Sequence, residues 1–243
     1  MKNFIMIDNE MLLDTSGFNT FKRVGTEGFA LYCYLLTQQG QRSYCQINIK
    51  MIDGFMNRKI EKPKNLFYTK DKTSKVSTMK DRKTIIKHLN SLYNSKLISM
   101  EYKKTYGIND MLIIKVKRIE TNNFTMISED LFVDYIYKIG HVGWSLLYIL
   151  TKLHNEDYGS CSCEGYANPT EEYLNSIIKK NIKTIRAYLY LLKDYKLINI
   201  CVNERIYKGA DAYGVNFYEY IPNNYTVRNR LVDNKYYIER QKE

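Results

Sequence analysis

The sequence predicts an α+β protein made of two consecutive copies of one module. The segment Lys183–Ile198 repeats Lys83–Ile98 at a constant offset of 100 residues, with eight of sixteen positions identical. In both copies Ile, Leu and Leu recur at i, i+4 and i+7, which is the apolar stripe of an amphipathic helix. Each helix is followed by an extended segment, a turn and a second extended segment. A helix and a hairpin in this order, found twice, predict two similar α+β modules.

The repeat extends toward the N-terminus of each copy. Each module is therefore expected to have an extended leader, a first helix, a second helix, the repeated third helix and a hairpin. We predict a first domain at 1–118, a second at 119–221 and a basic C-terminal tail at 222–243. The parallel segments are Phe4–Leu12 with Phe124–Phe132, Val24–Gly28 with Ile139–Gly143, and Phe29–Leu36 with Trp144–Leu150.

Local signals place the helices of the two modules. In the first module we predict helices over 27–38 and 50–56. In the second we predict a helix over 142–153 and another that starts at Asn168-Pro-Thr-Glu171, with Asn168 as its N-cap. Asn181 is the expected N-cap of the repeated helix in this module. The second hairpin is predicted from strands at 197–203 and 213–221.

A helix, a second helix, a third helix and a hairpin form the element order of a winged helix-turn-helix domain. The sequence thus predicts two tandem winged helix-turn-helix domains, whose third helices enter DNA grooves. The polar faces of these helices, the residues just before them and the hairpins supply the candidate DNA contacts. These contacts are Lys80, Arg82, Lys83, Thr84, Lys87, Lys103 and Lys104 in the first module, and Lys179, Lys180, Lys183, Thr184, Arg186, Tyr190 and Lys208 in the second.

Composition favours a polyanionic partner. The net charge is +11 and the isoelectric point is near 9.2, while the apolar fraction of 44% is that of a globular protein. No run approaches the roughly 18 apolar residues of a membrane span, and the N-terminus lacks a signal peptide. Five unpatterned cysteines fit a reducing compartment. We expect a cytoplasmic protein with no membrane partner.

A basic insertion separates the second and third helices of the first module. Between Asn57 and Lys83 the chain carries ten Lys or Arg against three acidic residues, with Phe67 and Tyr68 in the middle. Residues 57–80 are either a mobile solvated loop or an arm that orders on DNA, and both interpretations stay open.

Patterns for catalysis and metal binding are sparse. Cys161, Cys163 and His154 supply three metal ligands without a completing motif, so we expect loop thiols and no metal site. His88 is expected on or beside the groove face of its helix. The chain has no phosphate-binding loop, dinucleotide fingerprint or His-x-His motif. We therefore predict a protein that is not an enzyme and has no cofactor.

One set of short segments in the second module carries a family resemblance. These segments are Gly143–Tyr148, Asn168–Leu174, Lys183-Thr-Ile185, Leu192 and Leu197-Ile198. With them the module resembles the N-terminal winged-helix domain of Gram-positive plasmid replication initiators, the RepA N-terminal type related to DnaD-type domains. The likeness covers roughly 124–221, and more weakly 4–117, and departs from the family by Gly-Trp-Ser where Ala-Lys is usual and by the doubled module. The resemblance implies origin binding and helicase loading.

These observations together predict a sequence-specific double-stranded DNA-binding protein. The leading hypothesis is a plasmid or phage replication initiator that binds origin repeats. A replicative helicase or its loader is a further candidate partner, and a homodimer is a candidate assembly. The alternatives are a transcriptional regulator of a mobile genetic element and a winged-helix module that binds protein.

Overall fold

The fold of the protein was analysed in a computed structural model that describes residues 4–9, 19–40, 42–56, 82–101, 106–117, 124–157, 167–204, 206–210, 213 and 215–227. Both helices and strands are present among these residues, which is compatible with the predicted α+β class. The helices are α1 (Asn19–Gln39), α2 (Ile49–Met56), α3 (Arg82–Asn94), α4 (Glu129–Asp157), α5 (Glu171–Ile178) and α6 (Ile182–Asp194). The strands are β1 (Phe4–Asp8), β2 (Cys45–Ile47), β3 (Ile98–Met100), β4 (Leu112–Val116), β5 (Phe124–Ser128), β6 (Ile198–Cys201), β7 (Ile206–Ala210), β8 (Asn216–Glu219) and β9 (Asn224–Val227).

Both halves of the chain follow the same element order. In the first half, α1, β2, α2 and α3 precede β3 and β4, and the antiparallel sheet has the order β2-β4-β3. In the second half, α4, α5 and α6 precede β6, which pairs with β9. Ala167 lies on the other side of β9 through a bridge to Tyr225. In both halves the last strand therefore lies in the middle.

The end of the second module differs from the prediction. The sequence placed its last strand at 213–221 and assigned 222–243 to a tail, but residues 224–227 form β9 inside the module. Tyr225 and Val227 alternate inward and are buried, which explains why this segment joins the sheet. The strands β7 and β8 form a separate two-stranded ribbon that is inserted between β6 and β9.

The first helix of each half consists of two helical segments that meet at a glycine, and the prediction covered only the second segment. The starts expected at 27 and 142 lie just after Gly25 and Gly140, which interrupt α1 and α4. Gly25 has φ 70° and ψ 172°, and Gly140 has φ 65° and ψ −178°. Only glycine adopts this region readily, so the repeated glycine sets the same bend in both helices.

Capping of α5 and α6 agrees only in part with the prediction. Asn181 caps α6, since its side-chain oxygen accepts a hydrogen bond of 2.7 Å from the Thr184 amide. The cap of α5 is Thr170 and not Asn168, because the Thr170 hydroxyl accepts a bond of 3.0 Å from the Tyr173 amide. The helix thus begins two residues later than the Asn-Pro signal indicated.

The two halves share one hydrophobic core. The leader strands β1 and β5 pair antiparallel with each other. Between α1 and α4, the Trp144 indole N–H donates to the Cys33 thiol at 3.3 Å, and the rings of Phe29 and Tyr148 lie 4.9 Å apart. The predicted boundary at 118–119 lies between described segments, and the modules on its two sides are packed together.

Candidate nucleic-acid interface

Helix α3 presents a polar and basic outer face above a fully buried stripe. Ile85, Leu89 and Leu92 point into the core, as predicted. Lys83 and Lys87 are exposed on the outer face. The other candidates on this helix are Arg82, which is exposed, and Thr84, which is half-buried. Lys80 lies outside the described residues.

An open groove of about 590 Å³ follows the outer face of α3. Lys83, Lys87, Asn90 and Asn94 line it from α3, and Arg23 lines it from α1. The Arg23 carbonyl accepts a hydrogen bond of 3.1 Å from Ser91, which holds α1 against α3. Arg23 was not predicted as a contact because it lies 59 residues before the start of α3 in the sequence.

A second groove of about 550 Å³ continues along β3 and β4. Its cations are Lys96, Lys115 and Lys117, and Asn94 lines both grooves. Among the described residues that line the two grooves, none is acidic. The two grooves together define what we call the basic surface. The Lys and Arg side chains of the basic surface could neutralise several phosphates of one ligand at once.

The prediction missed the three lysines of the second groove. It chose Lys103 and Lys104 for this hairpin, and both lie outside the described residues. A signal for Lys115 was present, because the alternation of buried and exposed residues in β4 puts it on the open face of the sheet. Lys96 could not be found this way, since it takes a left-handed conformation with φ 58° in the turn after α3.

Helix α6 repeats the architecture of α3 with different side chains. Ile185, Leu189 and Leu192 are buried, and Lys183 and Arg186 are exposed on the outer face. Tyr190 is 40% exposed on the same face. The remaining α6 candidate, Thr184, is half-buried.

The turn between α5 and α6 holds two further candidates. Lys179 is exposed and left-handed, with φ 54°, where it ends α5. Lys180 is half-buried, and its carbonyl accepts a hydrogen bond of 2.8 Å from the Asn175 side chain. The turn is therefore held in place by a backbone contact that leaves the Lys179 side chain at the surface.

The carboxylate of Glu171, which the prediction did not include, positions Arg186. The Nε of Arg186 donates to both carboxylate oxygens, at 2.7 and 2.8 Å. The Glu171 side chain is only 10% exposed, whereas that of Arg186 is 59% exposed. This hydrogen bond and the negative charge of Glu171 raise the pKa of Arg186. The guanidinium is thus held from one side while most of the side chain remains open to a ligand.

The β7–β8 ribbon displays exposed aromatic residues. The rings of Tyr207 and Tyr218 lie 5.6 Å apart, and both side chains are more than half exposed. The predicted DNA contact Lys208 forms an ion pair with Glu219 at 2.6 Å, so its charge is offset. This pair weakens the prediction that Lys208 binds DNA, because a phosphate would have to compete with the carboxylate.

His88 lies away from the groove, contrary to expectation. It packs inward, with its Nε2 3.2 Å from a Glu27 oxygen. The other Glu27 oxygen is 3.8 Å from Nε2 of His141, whose Nδ1 is 2.8 Å from the Thr26 hydroxyl. These side chains connect α1, α3 and α4 at the junction of the two modules.

Burial lowers the pKa of His141 to about 4. The charge of Glu27 opposes this shift, and the charges of Lys180 and His88 add to it. The imidazole is therefore neutral near pH 7 and makes its contact with Thr26 as a neutral group.

Within the described residues, no group of three His, Cys, Asp or Glu side chains is arranged to hold a metal ion. Cys161 and Cys163 lie outside the described residues. None of the helices that the structure describes has the length and the apolar character needed to span a membrane.

Apart from Lys208, which lies on the β7–β8 ribbon, the predicted residues that the structure describes lie on α3, on α6 or in the turn before α6. Comparison with protein-family models, curated proteins and solved structures finds no match to this chain. The resemblance to replication initiators therefore stays a prediction. Any assignment of function must rest on the geometry and charge of the surfaces around α3 and α6.

Proposed function

We propose that the protein binds double-stranded DNA in a sequence-specific manner through two tandem winged helix-turn-helix modules. The element order supports this proposal, because in each half three helices precede a pair of strands, β3 with β4 and β6 with β9, and the last strand lies in the middle of its sheet. The observation that carries it is the pair α3 and α6. Both helices bury the same Ile-Leu-Leu stripe and expose a polar face that other elements leave open.

The basic surface of the first module suits the DNA backbone. Lys83, Lys87 and Arg23 follow α3, and the lysines of the second groove extend the positive charge toward β4. Each phosphate that is neutralised releases counterions, so binding should weaken steeply with salt. This module is expected to supply much of the affinity and less of the sequence preference.

The outer face of α6 suits recognition of bases. Arg186 is a planar donor whose position is set by Glu171, and such preorganisation favours a bidentate contact with guanine. Tyr190 offers an exposed ring one turn further along the helix. Lys183, at the start of the helix, is a point charge that suits a phosphate.

Fluorescence anisotropy with labelled duplexes at several salt concentrations tests the proposal. We expect a linear fall of log affinity with log salt, and a slope reduced by about two units in the Lys83→Ala, Lys87→Ala double variant. Lys138→Ala is a charge control outside the basic surface, because Lys138 lies over the ring of Tyr135 on α4. Absence of DNA binding, or equal slopes for wild type and the double variant, would contradict the proposal.

We further propose that the biological role is replication initiation on a plasmid or phage, with a replicative helicase or its loader as protein partner. The sequence resemblance supports this role, and regulation of a mobile element remains the rival. Footprinting on DNA that flanks the coding region separates the two. Protection of direct repeats at an origin favours an initiator, and protection of a promoter favours a regulator.

A second candidate function is protein binding, and the β7–β8 ribbon favours it. Ile206, Phe217 and Tyr218 are exposed there, and exposed apolar clusters of this kind often contact proteins. A partner interaction that persists at high salt in a protein without DNA affinity would support this function. Loss of DNA binding on truncation of α6 side chains would support the first.

A further inference from the structure

The two modules are related by an internal pseudo-two-fold axis. The leader strands pair so that Phe4 faces Ser128 while Phe124 faces Asp8, and Met6 faces its own repeat partner Met126. In the sequence repeat, Phe4 corresponds to Phe124, and Asp8 to Ser128. In this register, exchanging every residue for its repeat partner reproduces the same set of pairs. Such an exchange indicates a two-fold axis, because modules related by translation would not pair in this way.

The contacts between α1 and α4 obey the same symmetry. Thr26 and His141 are repeat partners, and they contact each other at 2.8 Å. In the repeat, Phe29 corresponds to Trp144 and Cys33 corresponds to Tyr148. Phe29 packs against Tyr148, and in the symmetric contact Trp144 donates to Cys33. The axis therefore passes between Thr26 and His141 as well as between the two leader methionines.

The helices α3 and α6 occupy equivalent places beside this axis. A side chain at Gly28 would meet His88 of α3 at 3.2 Å, and one at Gly143 would meet Tyr188 of α6 at 3.3 Å. His88 and Tyr188 are themselves repeat partners, and the two glycines lie two residues after Thr26 and His141. Both helices therefore flank the end of the axis where Thr26 meets His141.

We infer that one chain of this protein reads an imperfect inverted repeat, with one half-site for α3 and an unlike half-site for α6. The inference rests on the proposed DNA binding. Helices related by a two-fold axis meet a duplex in opposite orientations, whereas modules related by translation would meet it in the same orientation.

The half-sites differ because the two outer faces carry different chemistry. Where α6 has Arg186 and Tyr190, α3 has Ile86 and Asn90. Lys87 of α3 corresponds to Ala187. The outer face of α3 offers basic side chains and an amide, whereas that of α6 offers an arginine and an aromatic ring. These two sets of side chains select different base edges. A symmetric palindrome would therefore satisfy only one of the two helices.

The test begins with selection of duplexes from a random pool by the full-length protein, followed by alignment of the bound sequences. We expect two unlike motifs in opposite orientation, with centres about one helical turn apart or a small multiple of it. Native mass spectrometry should show one chain on each duplex. Inverting one motif, to give a direct arrangement, should weaken binding at least about tenfold, because several base pairs then mismatch.

Two variants assign the motifs to the helices. Asn90→Ala should change the preference in one motif, because the Asn90 amide lines the groove of α3. Arg186→Lys should change it in the other. Arg186→Lys keeps the charge, so a change confined to one motif would reflect recognition and not a general loss of attraction.

The possible failures are distinct. If no duplex is selected, DNA binding and the inference both fail. If duplexes are bound but the motifs have the same orientation, or inversion of one motif has no effect, the inference fails while DNA binding stands. Two chains bound to identical half-sites would also overturn it, as would two variants that change the same motif.

Discussion

Substitution of Arg186 separates base recognition from stability, provided that both are measured. Arg186→Ala leaves the Glu171 carboxylate, only 10% exposed, without this partner. Exposed ion pairs contribute about 0–1 kcal/mol, whereas breaking a buried pair costs about 3–5 kcal/mol. Because Arg186 itself is mostly exposed, solvent screens the pair and we expect an intermediate loss of about 1–2 kcal/mol. The protein should remain folded at room temperature.

The effect on DNA binding should exceed that of a general charge loss. A side chain that reads a base contributes on the order of 1–3 kcal/mol, which is roughly 5-fold to 150-fold in affinity. Arg186→Lys keeps the charge and loses the planar fork, so it should relax the preference at one position with the salt slope unchanged. Lys183→Ala should instead weaken all duplexes alike and reduce the salt slope by about one unit.

Fluorescence anisotropy on the preferred duplex and on a scrambled duplex measures the effect on DNA affinity. Urea denaturation of the same variants measures the effect on the free energy of unfolding. Leu189→Ala is the control for stability, because a buried leucine replaced by alanine costs about 2–5 kcal/mol while the outer face of α6 is untouched. Its folded fraction should bind DNA as wild type does. If Arg186→Ala shows the affinity and the base preference of wild type, α6 does not read DNA through this residue.

Three further predictions concern the first module and the junction. Lys87→Ala alone should reduce the salt slope of DNA binding by about one unit, and an unchanged slope would show that Lys87 does not neutralise a DNA phosphate. His141 has a folded pKa of about 4, below its unfolded value near 6.5, so the unfolded state binds more protons between these values. The free energy of unfolding should have its full value above pH 6.5 and fall by up to about 3 kcal/mol toward pH 4. His141→Gln should flatten this pH profile, measured by urea denaturation. An equally steep profile in the variant would contradict the lowered pKa of His141. Gly140→Ala should lower the free energy of unfolding by about 1–3 kcal/mol, since φ 65° with ψ −178° is strained for alanine, and an unchanged melting curve would refute this.

The sequence alone was sufficient for the features that depend on neighbours along the chain. The Ile-Leu-Leu stripes identified α3 and α6, because residues three and four apart share one face of a helix. Asn181 was recognised as a cap, because a cap bonds to an amide only three residues away. The repeated glycines mark equivalent points in both modules, and Gly25 and Gly140 bend their helices at these points. The exposed candidates Lys83, Lys87, Lys183 and Arg186 followed from the same periodicity.

Only the tertiary structure decided how distant segments meet. The pairing of β1 with β5 joins residues about 120 positions apart, and this pairing turns a sequence repeat into a pseudo-two-fold arrangement. Arg186 finds Glu171 15 residues away, across two helices, and Arg23 reaches the groove of α3 from α1. Strand β9 was assigned to the tail, because a four-residue strand carries little local signal and is stabilised by its partner β6. These contacts depend on which surfaces fit together in the shared core, and a periodicity within one segment holds no information about its partner.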